Sequence, residues 1–194
     1  MVSQLDDAVG EIVHRVNELQ IRNRTLILFL SDNGPSVEQP ANFGGGSAGQ
    51  FRGHKKSIFE GGIREPLIAN WPGKIPQGIS QEVPVIVMDL FPTLTRLAGA
   101  ELPNDIDGVD IWPLMDGSQN DLAERPLIFK WQNQQAVRLG KWKLVRNPRL
   151  HDGSGVSLPV EALYDLVADP GETADLSQEN PQLVVQLRQL LDSR

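Results

Sequence analysis

Cysteine is absent from the 194 residues, which excludes a disulfide framework, a thiolate metal site and a cysteine nucleophile. A basic surplus is lacking too: 18 Lys and Arg stand against 25 Asp and Glu, for a net charge of -7. Nucleic acid and anionic bilayers need a basic field to release counterions or attract headgroups, so neither is an expected partner. No apolar run is long enough to span a membrane, and Met1-Val2-Ser3-Gln4-Leu5-Asp6-Asp7 lacks the basic start and apolar stretch of a secretory leader. There is no internal repeat and no low-complexity tract. With 40% hydrophobic residues, the chain has material for a real core in one or two domains.

The apolar positions Leu5, Ala8, Val9, Ile12, Val13, Val16 and Leu19 follow helical spacing, and Ser3 with Asp6 three residues on resembles a capping box. Thr25 to Leu30 is a short apolar run without polar alternation, predicting a parallel strand covered on both faces. The stretch Pro35 to Gly53, with Gly44-Gly45-Gly46, is longer than an ordinary connection, and long loops in compact domains are often functional. Pro66 to Trp71 predicts a strand bounded by Pro72-Gly73. Asp89 to Ala98 predicts a helix ended by Gly99, with Pro92 in its first turn.

A polar stretch from Asp116 to Arg125 marks a change of texture, dividing the chain into residues 1–120 and 121–194. Beyond it, Leu127 to Trp131, Gln135 to Leu139, Trp142 to Arg146 and Ala162 to Leu166 predict a small antiparallel sheet, with a turn at Gly140-Lys141. Asn180 is placed to cap a last helix, Pro181 suits its first position, and Leu183, Val184, Leu187, Leu190 and Leu191 form one stripe to cover that sheet. The first part never returns to the strand-helix units that would complete a large parallel sheet.

Open α/β sheets bind ligands outside the carboxyl ends of their strands, where Asp32 and Asn33 fall. A carboxylate beside an amide oxygen offers hard ligands suited to calcium or magnesium, although such ions take about six or more oxygens. Asp-Asn-Gly also makes tight turns, and these residues alone leave both readings open.

Ser31-Asp32-Asn33-Gly34-Pro35, Arg52-Gly53-His54-Lys55 and Phe59-Glu60-Gly61-Gly62-Ile63-Arg64-Glu65-Pro66 together resemble the second half of the signature of type I, formylglycine-dependent sulfatases. Met88-Asp89-Leu90-Phe91-Pro92-Thr93-Leu94, Asp107-Gly108-Val109-Asp110, Pro113-Leu114-Met115-Asp116-Gly117, Leu163-Tyr164-Asp165-Leu166 and Asp169-Pro170-Gly171-Glu172 extend the resemblance in order over nearly the whole chain. It implies that Asp32 and Asn33 are two calcium ligands and that Lys55 contacts the sulfate. The alternative for Lys55 is a solvated lysine beside Lys56. His54, adjoining Lys55, is a candidate substrate or leaving-group contact, although a loop histidine more often faces solvent. Glu60-Gly61-Gly62-Ile63-Arg64 is read as scaffold, its glycines permitting close packing and Glu60 pairing with Arg64.

The spacing fails the nucleotide P-loop pattern, because His54 separates Gly53 from Lys55 and Lys56 separates Lys55 from Ser57. Arg138, Lys141, Lys143, Arg146 and Arg149, with Trp131 and Trp142, predict a charged strand face over core tryptophans; the functional alternative is a surface for a polyanion such as a sulfated glycan. His14 and His151 have no motif around them. The family's nucleophile, a formylglycine made within C/S-x-P-S-R, has no counterpart. Ser157-Leu158-Pro159-Val160-Glu161 lacks the following Ser-Arg.

The expectation is therefore an α/β, alkaline-phosphatase-like fold without its N-terminal part, followed by a small antiparallel sheet and a C-terminal helix. The resemblance implies an incomplete Ca2+ site in this chain and formylglycine in the missing N-terminal part. It implies a sulfate-ester substrate, aryl sulfate or sulfated carbohydrate, with negligible activity for this polypeptide alone. Periplasmic, secreted or lysosomal placement is implied for a full-length member. The rival expectations are a phosphate or phosphonate ester hydrolase of the same superfamily, or a noncatalytic module complementing a separate N-terminal half.

Overall fold

The computed structural model describes residues 2–37, 46–150 and 154–193. His151 and Gly44-Gly45 lie outside the described residues. The chain forms two compact units: Met1–Phe29 with Leu67–Leu122, and Leu30–Pro66 with Ala123–Arg194.

The first unit opens with helix α1, Val2–Glu18, none of whose residues is buried. Ser3 lies inside this helix rather than at its cap, which corrects the expected capping box. Strand β1, Ile27–Leu30, pairs with β2, Leu67–Asn70; helix α2, Glu60–Ile63, comes between them in the sequence and belongs to the second unit. The expected two-sided burial of β1 is not met: Phe29 is 38% exposed and Leu30 37%.

Helix α3, Leu90–Leu97, is stopped by Gly99, whose φ of 69° favours a residue without a side chain. Its N-terminal motif and the Asp107-Gly108-Val109-Asp110 motif form a single clamp. The buried Asp89 carboxylate accepts the Ile86 N–H at 2.8 Å and the Val109 N–H at 2.9 Å. The Thr93 hydroxyl donates to the Asp89 carbonyl at 2.6 Å and accepts the Ile111 N–H at 2.9 Å. A short helix α4, Trp112–Met115, places Trp112 edge-on to Trp71, with ring centroids 5.7 Å apart.

The second unit is built on an antiparallel sheet of β3 (Leu127–Trp131), β4 (Gln134–Leu139), β5 (Trp142–Arg146) and β6 (Glu161–Asp165), in that spatial order. Strand alternation divides its residues between two faces. Val137, Leu144 and Leu163 stand in register on one, where helix α5, Pro181–Asp192, adds Val184, Leu187 and Leu191. Ala136, Val145 and Ala162 stand on the other, joined by Tyr164 and by Ile58 and Phe59 from the loop before α2. Asn180 makes no side-chain cap to α5, contrary to expectation; its amide instead donates to the Leu176 carbonyl at 3.1 Å.

Tyr164, the single tyrosine, packs edge-on to Phe59 with centroids 6.2 Å apart. Burial pushes its phenol up to about 12, outweighing the nearby Arg52 charge. A folded pKa above the unfolded one means that this stabilisation is intact below the unfolded value, about 10, and is lost as pH rises towards 12. An ultraviolet titration of phenolate should accordingly show no ionisation near pH 10 in the folded chain. A midpoint near 10 with the fold intact would contradict this packing.

Candidate active site

All four candidate residues from the sequence fall in the second unit. Asp32 is exposed and Asn33 half-buried in the turn that follows β1, where the Ser31 hydroxyl donates to the Asn33 carbonyl at 2.9 Å. Lys55 is exposed, and its amide donates to the Pro35 carbonyl at 3.0 Å. The turn and the lysine loop are thus tied directly to one another.

Both are seated on Glu60-Gly61-Gly62. The Gly34 amide donates to the Gly62 carbonyl at 3.1 Å, and the Gly61 amide to the Arg52 carbonyl at 2.6 Å. A side chain on Gly34 would begin 1.9 Å from the Gly61 oxygen, one on Gly61 2.5 Å from the Gly53 oxygen, and one on Gly62 2.2 Å from the Ser57 oxygen. Close packing of three backbone segments is therefore what these glycines provide.

His54 is buried, which removes the solvent-facing alternative for its ring. Its Nδ1 lies 3.0 Å from the Lys55 carbonyl, so this nitrogen carries the proton; Nε2 has no hydrogen-bond partner among the described residues. Lys56 sits at φ 74°, and the buried Gln134 holds its carbonyl by a 2.8 Å bond from Nε2.

Glu60 is buried, and the expected Arg64 pairing is present, but at 3.8 Å. Its nearer partners are Lys143 at 2.8 Å and Arg138 at 3.5 Å. Lys143, 0% exposed, also meets Glu172 at 2.9 Å. Glu172 Oε2 accepts the Glu60 N–H at 2.6 Å, and the Glu172 carbonyl accepts from Arg52 Nη1 at 2.7 Å. Burial works to raise the Glu60 carboxyl, but Lys143, Arg138 and Arg64 outweigh it and hold the group below the usual glutamate range. For Glu172 burial prevails over Lys143, and its carboxyl is pushed up.

Lys143 and Glu172 were not singled out in these roles by the sequence. The available signal was alternation: Lys143 shares a strand face with Val145, and a charge pointing into a core demands a partner. The basic residues of the sheet accordingly do not form one cationic face. Lys143 and Arg138 reach Glu60, Arg146 pairs with Asp192 at 2.8 Å, and Lys141 with Asp165 at 2.6 Å. Trp142 packs against the α5 side of the core, whereas Trp131 is 44% exposed, against the expectation of two core tryptophans.

Around Asp32, burial raises the Glu65 carboxyl and the Asp32 charge adds to the rise. Among the described residues, no group of three or more His, Cys, Asp and Glu is arranged to hold a metal ion. What the geometry assembles is a pair of hard oxygen donors and an adjoining ammonium-bearing loop on a common backbone base.

The same segments lie within residues 1–100, which match the family model described as Sulfatase. The chain belongs to the sulfatase family. It is 34% identical to human arylsulfatase A over 210 residues, covering 96% of this chain and 41% of that protein. With the N-acetylgalactosamine-6-sulfatase of Sus scrofa it shares 45% identity over 146 residues, 73% of this chain and 27% of the relative. A solved structure, i-CgsB in complex with k-i-k-neocarrahexaose, superposes with a TM-score of 0.84 at 27% identity, over 100% of this chain and 41% of the other. This sulfatase chain thus spans well under half the length of these relatives. Its mixed α/β architecture, small antiparallel sheet and C-terminal helix agree with an alkaline-phosphatase-like fragment.

Proposed function

We propose that this chain is the C-terminal portion of a type I sulfatase and supplies one half of the active site of a sulfate-ester hydrolase. The observation that carries this reading is the common base beneath the Asp32-Asn33 turn and the Lys55 loop. A sulfate ester carries negative charge on nonbridging oxygens, and groups held in advance at fixed positions stabilise that charge best.

Asp32 and Asn33 fit calcium by donor chemistry, since both present oxygen at an accessible turn. Bound there, calcium would supply Lewis-acid stabilisation of the sulfate oxygens. Its remaining ligands come from outside the described residues in this reading. Lys55 then presents a mobile point charge to the sulfate, while the Lys55 amide bond to Pro35 keeps that charge beside the metal-binding turn. The formylglycine nucleophile comes from another segment, because no C/S-x-P-S-R occurs in these residues. Exposed apolar positions on α1, Leu5 and Ile12 among them, together with Phe29 and Phe91, suit burial against that segment. The substrate class that goes with the named relatives is an aryl sulfate or a sulfated carbohydrate, and the placement that goes with it is periplasmic, secreted or lysosomal.

Co-expression with a sulfatase segment carrying C/S-x-P-S-R tests the reading. The expected result is calcium-dependent cleavage of an aryl sulfate by the pair and none by this chain alone, with Lys55→Ala lowering turnover by about 100-fold or more. A well-folded pair that cleaves phosphate esters and leaves sulfate esters intact would transfer the assignment to the phosphoryl branch of the superfamily. Robust turnover by the purified chain alone would refute the half-site.

A further inference from the structure

We propose that Lys143 is a positioning residue for the site: acting through Glu60 and Glu172, its ammonium fixes the base on which the Asp32-Asn33 turn and the Lys55 loop rest. Its consequence for catalysis rests on the sulfatase reading, whereas the positioning itself does not.

Beyond Glu60, Glu172 and its cross-strand neighbour Arg138, the face that Lys143 shares is apolar. Val145 and Tyr164 share its face of the sheet, with Phe59 and Ile58 above them. An apolar side chain would fill such a place without dehydrating a charge, so stability alone gives little reason for an ion pair here. What the charge adds is direction. One ammonium meets carboxylates from two separate segments at 2.8 and 2.9 Å. The second oxygen of Glu172 takes the Glu60 amide, which cross-braces the two segments.

The bracing then runs towards the site along named bonds. Glu172, itself held at φ 51°, accepts from Arg52 through its carbonyl, and the Arg52 carbonyl accepts the Gly61 amide. Arg52 stands three residues before Lys55, and its guanidinium lies 4.5 Å from the Phe59 ring centroid. Apolar packing alone tolerates small slips; a charge hydrogen-bonded to Glu60 and ion-paired with Glu172 favours one seating. Misplacement of a reacting group by 1 Å can cost about 100-fold in rate, so such seating matters at Asp32 and Lys55.

The lack of native cysteine permits a direct test, because Lys143→Cys introduces a unique thiol. Alkylating that thiol in the unfolded chain with 2-bromoethylamine restores an ammonium of nearly the original length. Alkylation with propyl bromide fills similar volume without charge. After refolding, hydrogen exchange is read at the amides of Gly34, Lys55 and Gly61, with the β4–β5 amides as internal reference.

The propyl form should exchange about tenfold faster at the three site amides relative to the reference, and the aminoethyl form should return to within about twofold of the unmodified parent. Equal protection by the propyl group would overturn the proposal, as would a loss shared equally by the β4–β5 amides. If the alkylated chains do not refold, Glu172→Gln serves with the same readout, because it removes one charge partner while retaining the shape. Failure of the assembled enzyme to cleave sulfate esters would defeat the sulfatase reading and leave these exchange rates unaffected.

Discussion

Replacing Gly34 by alanine lowers the stability of the unit built on β3 to β6 by about 3 kcal/mol, the upper end of ordinary overpacking costs. The added methyl would stand 1.9 Å from the Gly61 oxygen and 2.9 Å from its carbonyl carbon. These are backbone atoms of a turn that is itself packed against Arg52, Gly53 and Ser57, so no side chain can rotate to make room. Retreat of the Gly34 segment would also break its 3.1 Å bond to Gly62. Gly10 supplies the control. It lies within α1 with nothing within 4 Å of an added methyl, so alanine there should stabilise its helix by about 0.5–1 kcal/mol. Urea unfolding followed by hydrogen exchange at the β4–β5 amides reports on the unit containing Gly34. An unchanged transition in Gly34→Ala would show that the two turns do not touch.

Lys143→Met is expected to cost about 3–5 kcal/mol in the same assay, the usual penalty for leaving a buried ion without its partner. Methionine nearly matches the volume of the stem, so cavity formation is a minor contribution. The loss comes from Glu60 and Glu172, 2% and 0% exposed, which would face each other's charge without the ammonium between them. Adding Glu60→Gln and Glu172→Gln to Lys143→Met should therefore recover part of the stability. Recovery is incomplete because Arg138, 17% exposed in its side chain, then loses its own partner. A cost below about 1 kcal/mol for the single variant would mean that the carboxylates reach water and that the cluster is not buried as described.

Much of the architecture was legible in local pattern. The strands β3 and β5 were read with the bounds they have, because alternation and the Gly140-Lys141 turn both act over a few residues. Helix α5 was visible from its stripe, and α3 from its stop at Gly99. The caps were less legible. A serine near a helix start and an asparagine before a proline are suitable chemistry, but whether the side chain turns back onto the helix depends on backbone angles that Ser3 and Asn180 do not adopt. Burial of β1 was overestimated for a related reason: an apolar run states what a strand can bury, not what lies over it.

The candidate site was legible as residue types and not as an arrangement. The sequence offers Asp32, Asn33, His54 and Lys55 as candidates, yet the inward turn of His54 goes with a bond to its neighbour's carbonyl. Arg64, the partner that the sequence suggests for Glu60, stands within the same short segment and meets it at 3.8 Å. The stronger partner, Lys143, lies 83 positions away.

By itself, then, the sequence determined the family, the order of the main elements and the positions of the candidate residues Asp32, Asn33, His54 and Lys55. Motif chemistry and helix or strand periods are properties of neighbouring residues. Tertiary structure alone decided that the small C-terminal sheet underlies the candidate site, because Lys143 and Gln134 of the sheet, and Glu172 beyond it, meet the loop only once the chain has closed over long separations. A buried charge must be matched wherever the fold brings a partner, and sequence distance places no limit on that match.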